Sequence, residues 1–358
     1  MKFAAGYQNN SYGEPFADMI ADYTGSTYKG KNGSHIAEVY FPWVALSSGR
    51  PPLMPEGLSI PEAEDELLSD LRKLKSSGVA LDLLFNANCY GDRAVSRGFE
   101  KEIREIIDRL GAEGVKPEIV TTTSLFAART VKKFHPEIEV RASVNMRIGT
   151  IQAMQYVSDL FDSFYLQRDF QRNLQYVRKV SEWCRENGKK LCLLANSGCL
   201  RFCPGQTFHD NLIAHCVGAA EDRAADYNPH LCRNLYENGK NAVEVLKSTW
   251  IRPEDIFRYD GLVDVVKLAT RQHFYPRSVI SAYLSGSWNG NLLELLEPGH
   301  SPAFYPNEID NKAFPDDFFE KTGACLNGCT ECGYCEDVLK KVFRKSSTDG
   351  ILFSMTES

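Results

Sequence analysis

Eight short apolar runs, each followed by a longer amphipathic stretch, occupy the first 290 residues of this 358-residue chain. The runs are FAAGYQ (3–8), HIAEVYFPW (35–43), VALDLLFNA (79–87), EIVTTT (118–123), EVRASV (139–144), FDSFYLQ (161–167), KLCLLAN (190–196) and VDVVKLA (263–269). Between them, Leu67, Leu68, Leu71 and Leu74 recur at helical spacing, with Pro61 at a first-turn position and Gly78 as a stop. The stretches 98–114 and 169–188 have the same design, and each ends at glycine before the next run. Near-continuously apolar strands alternating with helices predict a parallel sheet covered on both sides. Eight such repeats predict an α/β fold, a (β/α)8 TIM-like barrel. An open doubly wound sheet is the competing architecture. No glycine-rich phosphate loop follows the first strand, which weakens its nucleotide-binding form. After residue 290 the alternation gives way to a proline-rich polar segment and a cysteine cluster. The expected organisation is therefore a barrel domain over 1–290 and a C-terminal extension over 291–358, wrapping the barrel.

Composition narrows the class. With 43% hydrophobic and 25% charged residues the chain reads as globular, and its net charge of −6 does not favour a polyanion partner. No apolar stretch has the length of a secretory signal or a membrane span, so a cytoplasmic protein without membrane contact is expected. Eleven cysteines in such a setting point to metal ligands rather than disulfides.

In a barrel, chemistry sits where strands end. The strand ends here carry Asn86, Asn88 and Cys89, Thr121 to Thr123, Asn145 and Arg147, Gln167 to Asp169, Asn196 and Cys199, and Lys267 and Arg271. Asp169 and the threonines have a plain reading as helix caps. Asparagines at three strand ends suit the orientation of a polar ligand, which makes Asn86, Asn145 and Asn196, with Arg147, candidate substrate-binding residues. Lys267 lies in an apolar strand, where an unpaired ammonium is costly. It either points to the mouth and binds an anion or carbonyl, or forms a structural ion pair.

The terminal group, CLNGCTECGYC, places Cys325, Cys329, Cys332 and Cys335 with spacers of three, two and two residues. That is the reverse of a bacterial-type iron–sulfur ligand run, and its short glycine-bearing spacers let one loop surround a cluster. Zinc, which usually takes two Cys-x-x-Cys knuckles farther apart, is the alternative. Cys184, in a helix, and Cys192, within a strand, read as core.

Three stretches together resemble the U32 peptidase family. VDVVKLATR is similar to its final-strand signature, ASVNMRIGTIQAMQYVSDLFDSFYLQRDF to its central region, and LLANSGCLRFCPGQTFHDN to its cysteine-bearing loop. The resemblance covers roughly residues 75 to 275. It implies a barrel-like fold and, in several members, a cubane iron–sulfur cluster held by four cysteines. Members include partners in oxygen-independent ubiquinone hydroxylation, enzymes that hydroxylate RNA bases, and proteins described as collagenase-like. The chain departs from the family in its cysteine spacing and in the terminal group.

With that resemblance, Cys199, Cys203, Cys216 and Cys232 become a candidate four-thiolate site at the mouth. His209 or His215 in place of a thiolate would suit zinc. Burial of one or two of these cysteines as small hydrophobes is the bland reading. The expected cofactors are one or two [4Fe-4S] clusters, with zinc as the alternative. The expected activity is iron–sulfur-dependent redox or oxygen-independent hydroxylation chemistry on a small molecule or a nucleic-acid base. Lys267 and Arg271 would position substrate and His209 would move a proton. A peptidase or hydrolase is the second reading, although neither a His-Glu-x-x-His nor a Gly-x-Ser-x-Gly motif occurs. A non-catalytic electron-transfer or scaffold subunit is the third. The implied partners are a small-molecule substrate, an electron-donor protein and a heteromeric subunit, with nucleic acid by family analogy alone.

Overall fold

The computed structural model describes residues 1–9, 14–46, 48–50, 52–53, 57–215, 227–325 and 329–346. Each of the eight apolar runs forms a strand: β1 Lys2–Gly6, β2 His35–Pro42, β3 Ala80–Phe85, β4 Ile119–Thr122, β5 Glu139–Ala142, β6 Ser163–Tyr165, β7 Lys190–Leu194 and β8 Val265–Lys267. Every neighbouring pair is parallel. Pairing of Phe3 with Val266 and Ala4 with Lys267 closes β1 onto β8, which rules out the open sheet.

Strand side chains alternate between two environments, as the period of two requires. Phe3, Val39, Phe41, Leu81, Leu83, Val120, Val140 and Leu193 belong to the large cluster between strands and helices. Ala4, Tyr40, Leu84, Tyr165, Cys192, Leu194 and Val265 form a second, smaller cluster, which is the barrel lumen. The helix Ile60–Ser76 shows how the outer layer is specified. Ser59 and Glu62 form a capping box at its start, with proline in the first turn. Leu67, Leu68, Leu71 and Leu74 are all buried on its inner face, each worth about 1.5–3 kcal/mol. Cys184 and Cys192 are buried in the core.

The lumen is also charged. Arg141, fully buried on β5, donates to Glu38 at 2.6 and 3.1 Å, to Glu139 at 2.9 Å and to Ser163 at 3.0 Å. Leaving a buried guanidinium unpaired is costly, so its saturation by two carboxylates is what makes the position tolerable.

Beyond residue 290 the chain adds strap-like turns, a two-stranded antiparallel sheet (β9 Asn307–Ile309 with β10 Phe343–Lys345) and short helices. Leu292, Leu293, Leu295, Phe314, Phe318 and Val342 are buried in the same continuous core as the barrel. The Trp250 ring joins the two, lying 5.9 Å from Phe314 and 5.8 Å from Phe318. Among the described residues, no helix is long and apolar enough to cross a membrane.

Candidate active site

Loops at the C-terminal ends of the strands enclose a cavity of about 290 Å³. Its floor is Tyr40, Leu84, Leu194 and Lys267, and its walls include Arg50, Asn86, Asn145, Arg168 and Arg271. The segment after β7 and the helices Gln206–Ala214 and Leu231–Tyr236 cover it with Cys199, Cys203, His209, Asp210, Cys232 and Arg233. Gly49 sits in the left-handed region at φ +71° with the amide nitrogens of Asn145 and Asn86 closing on its Cα. A β-carbon there would come within 3.0 Å of Asn145 and 3.1 Å of Asn86, so glycine permits this approach.

Lys267 projects into the lumen, with Nζ 3.7 Å from the Tyr40 ring centroid and 5.4 Å from that of Tyr165. Among the described residues it donates no hydrogen bond and forms no direct ion pair, and it lines the mouth cavity. Burial pushes its ammonium down to about 8, against the opposing charge of Asp82. Arg271 is likewise lowered, to about 10, by burial and by Arg50, while it donates to Ser48 Oγ at 2.7 Å.

The cysteine loop is pinned from beneath by Asp169, which is almost fully buried. Its carboxylate accepts from the Phe202 amide and from Gln167 at 2.7 Å, and its carbonyl accepts from Arg201 at 2.7 Å. Asp169 therefore does not cap the following helix; Asn173 does, accepting from Tyr176 at 3.0 Å. Ser124, not the threonines, caps the helix after β4, and Thr121 instead donates to Asp82 at 2.8 Å.

Cys199, Cys203 and Cys232 line the same cavity. Burial raises the thiols of Cys203 and Cys232, the latter to about 11, and Cys199 adds to both shifts. Two thiols that resist ionisation partly because a third lies beside them make, with it, a donor set that a metal cation relieves. Among the described residues no three His, Cys, Asp or Glu side chains are drawn together closely enough to hold an ion. Cys216 lies outside the described residues. His209 is kept neutral by burial and by Arg50, Arg168 and Arg233, and its ring meets that of His230 edge-on at 4.7 Å.

No family model matches the chain. An uncharacterized protease of Methanocaldococcus jannaschii is 29% identical over 285 residues, which span 78% of this chain and 82% of the relative. The solved structure of the U32 peptidase Mk0906 superposes with a TM-score of 0.50, covering 75% of this chain and 92% of that one at 16% identity. The chain shares its barrel fold with a U32 peptidase. The structural likeness shows the barrel fold; the chemistry rests on the residues of the mouth.

Within the mouth the expected residues divide. Lys267, Arg271, His209, Asn86 and Asn145 line one cavity, together with three of the four mid-chain cysteines. Asn196 does not line it. Its amide donates to Ala269 O at 3.0 Å and Leu295 O at 2.9 Å and accepts from Ala269 N at 2.6 Å, so, fully buried with both donors used, it ties strand end to extension. Arg147 is also outside the lining, donating to Thr207 at 3.1 Å. Asn88 reaches Asp210 at 3.5 Å, and the Cys89 thiol accepts from the Gly91 amide at 3.4 Å.

Tyr40, Arg50, Arg233 and Glu297 are not singled out by sequence, whereas Arg168 lies within the Gln167–Asp169 strand-end signal. Nothing local marks Arg50 or Glu297. Glu297 belongs to the extension, pairs with Ser197 in a parallel bridge, and binds Arg50 at 3.0 Å. The terminal cysteines lie elsewhere, off the cavity, around the helices Phe318–Gly323, Cys329–Cys332 and Tyr334–Val342. Cys329 and Cys332 are exposed, whereas Cys325 and Cys335 are half-buried. Burial lifts the Cys335 thiol to about 11, against Arg172 and Lys247.

Proposed function

We propose that this chain is an iron–sulfur-dependent enzyme that carries out redox or oxygen-independent hydroxylation chemistry on a small molecule or nucleic-acid base bound at the barrel mouth. The observation that carries this reading is the convergence of Cys199, Cys203 and Cys232 on the cavity that holds Lys267 and Arg271. Cys216, between them in sequence, is the proposed fourth ligand, and Cys325, Cys329, Cys332 and Cys335 are the ligands of a second centre. When bound, an iron–sulfur cluster supplies one-electron transfer. The protein's own groups supply the rest. Arg50, Arg168, Arg233, Lys267 and Arg271 give the mouth a cationic lining, suited to thiolate ligands and to an electron-rich substrate oxygen. Asn86 and Asn145 orient that substrate, and neutral His209 accepts or returns a proton. A reducing, intracellular setting and a low-potential electron-donor protein follow from the same reading.

Hydrolysis is the second reading, favoured by the names of the two similar proteins, a protease and a U32 peptidase. Cys203 and His209 share the cavity and would be its nucleophile and base. Metal analysis of protein purified without oxygen separates the two. About eight iron and eight sulfide per chain, halved in both Cys199→Ala and Cys332→Ala, are expected for two cubane centres. Zinc without sulfide would overturn the redox reading, and loss of casein or peptide cleavage in Cys203→Ser would establish the other.

A further inference from the structure

The barrel lumen beneath the cavity contains a carboxylate that neither reading uses. Asp82, on β3, is fully buried. Its Oδ2 accepts from Thr121 Oγ1 at 2.8 Å, and its Oδ1 has no partner. Arg141 is near, but its recorded hydrogen bonds go to Glu38, Glu139 and Ser163, and its ion pair with Asp82, at 3.9 Å, is with Oδ2 and leaves Oδ1 unpartnered. A buried carboxylate with an open oxygen is expensive unless another positive charge faces it.

That charge is Lys267. In the β2–β3 register Tyr40 is the partner of Asp82, and the Tyr40 ring carries the Lys267 ammonium on its face. The ring reaches that position because β1 offers no side chain to block it. Gly6 lies under the ring, where a β-carbon would come within 2.6 Å of Tyr40 Cζ, and Ala4 is the register partner of Lys267. Tyr40 Oη then donates to Leu268 O at 2.8 Å, which locks the ring across β1. Tyr40 thus has Asp82 beside it in the sheet and Lys267 above it.

We infer that Asp82 is a positioning residue whose charge keeps Lys267 an ammonium at neutral pH, so that Lys267 serves as a fixed cationic anchor for a substrate oxygen rather than as a nucleophilic amine or a base. The inference stands apart from the metal content of the protein and so from the iron–sulfur reading. The other charges facing the pair act against Lys267 or are already matched. Arg271, Arg141 and Arg50 all disfavour its ammonium, and Asp82 is the largest charge opposing its deprotonation. Asp82 in turn faces Arg141, Lys267 and Glu38, and burial raises its carboxyl. Removal of Asp82 leaves a buried ammonium among three guanidinium groups, which shifts it toward the free amine.

The test is a site-resolved titration of the full chain. With lysine labelled at Cε, the signal absent from Lys267→Met identifies Lys267 in the wild type. In Asp82→Asn its midpoint should fall by about one pH unit or more, a tenfold change in acidity, as loss of a nearby opposite charge requires. An unchanged midpoint in folded Asp82→Asn would overturn the assignment, because a carboxylate serving only Arg141 would leave Lys267 unmoved. Should Asp82→Asn fail to fold, the reciprocal measurement decides. In Lys267→Met the carboxyl signal of Asp82 should titrate at higher pH than in the wild type, and an unmoved titration refutes the coupling. Aldehyde trapping with borohydride reports the same point chemically. Lys267 should be trapped faster at pH 7 in Asp82→Asn, and an equal rate counts against the inference.

Discussion

Arg168 holds its Nη1 3.2 Å from the Sγ of Cys199 and 3.3 Å from Ser197 Oγ. A guanidinium donating to a thiol stabilises the thiolate and fixes its direction, the role of an outer partner at a metal ligand. Arg168→Met keeps the stem but removes the donors. On the proposed iron–sulfur reading, it should reduce iron retention at the mouth by about 10-fold or more while the fold persists. Iron per chain after a chelator challenge, with far-UV circular dichroism as the control, checks this.

Asp169 predicts a different phenotype. Its buried carboxylate accepts from the Phe202 amide, and Phe202 itself sits at φ +53°, so the loop conformation depends on this acceptor. Asp169→Ala leaves buried donors unsatisfied and should cost about 1–3 kcal/mol in urea unfolding. Limited proteolysis should move to the 199–205 segment before the rest of the barrel is cut.

Glu139 makes the charged lumen sensitive to acid. Burial alone would raise its carboxyl, but Arg141, Lys190 and Ser163 outweigh it and hold it down at about 2. Because the folded value is depressed, the stabilisation is complete above the ordinary carboxylate range. It is lost as pH falls from about 4.5 toward 2. Glu139→Gln should therefore be less stable than wild type by about 3 kcal/mol at pH 7, with the gap closing below pH 3. Parallel urea titrations at the two pH values measure it.

Gly198 tests the contribution of the extension to the mouth. A β-carbon there would meet Pro298 O at 2.4 Å, and His300 Nε2 lies 3.1 Å from Gly198 O. Gly198→Ala should push the 297–300 strap off the mouth and lower thermal stability. Faster hydrogen exchange confined to 196–199 and 295–300, with the rest of the barrel unchanged, is the expected signature.

The barrel was legible because its signal is periodic and local. Eight apolar runs and the Leu67 to Leu74 face specify strands and helices whatever surrounds them, and closure of β1 onto β8 then follows from their number. Lys267 was legible for the opposite reason, as a charge within an apolar strand, for which a mouth-facing role and a structural ion pair were both open. What stayed hidden depends on contacts far apart in sequence. Asn196 looked like a ligand residue because strand-end amides often are. Its real partners, Ala269 and Leu295, lie at positions a local reading cannot pair with it. Asp169 looked like a cap because a helix follows, while Asn173, nearer that helix, takes the role. Arg50 and Glu297 meet only after the extension has crossed the barrel. Tyr40 and Asp82 appear as ordinary members of strands until the lumen brings Lys267 to them.

The bridge between Ser197 and Glu297 also imposes an order on biosynthesis. Synthesis runs from the N-terminus, so Cys199, Cys203 and Cys232 leave the ribosome well before Glu297 and Pro298, and β8 emerges between them. During that interval the mid-chain thiols belong to an unclosed sheet with no wall on one side. The strap that walls the mouth is made only after every strand is available, so enclosure of the mouth is one of the last events in the making of the molecule.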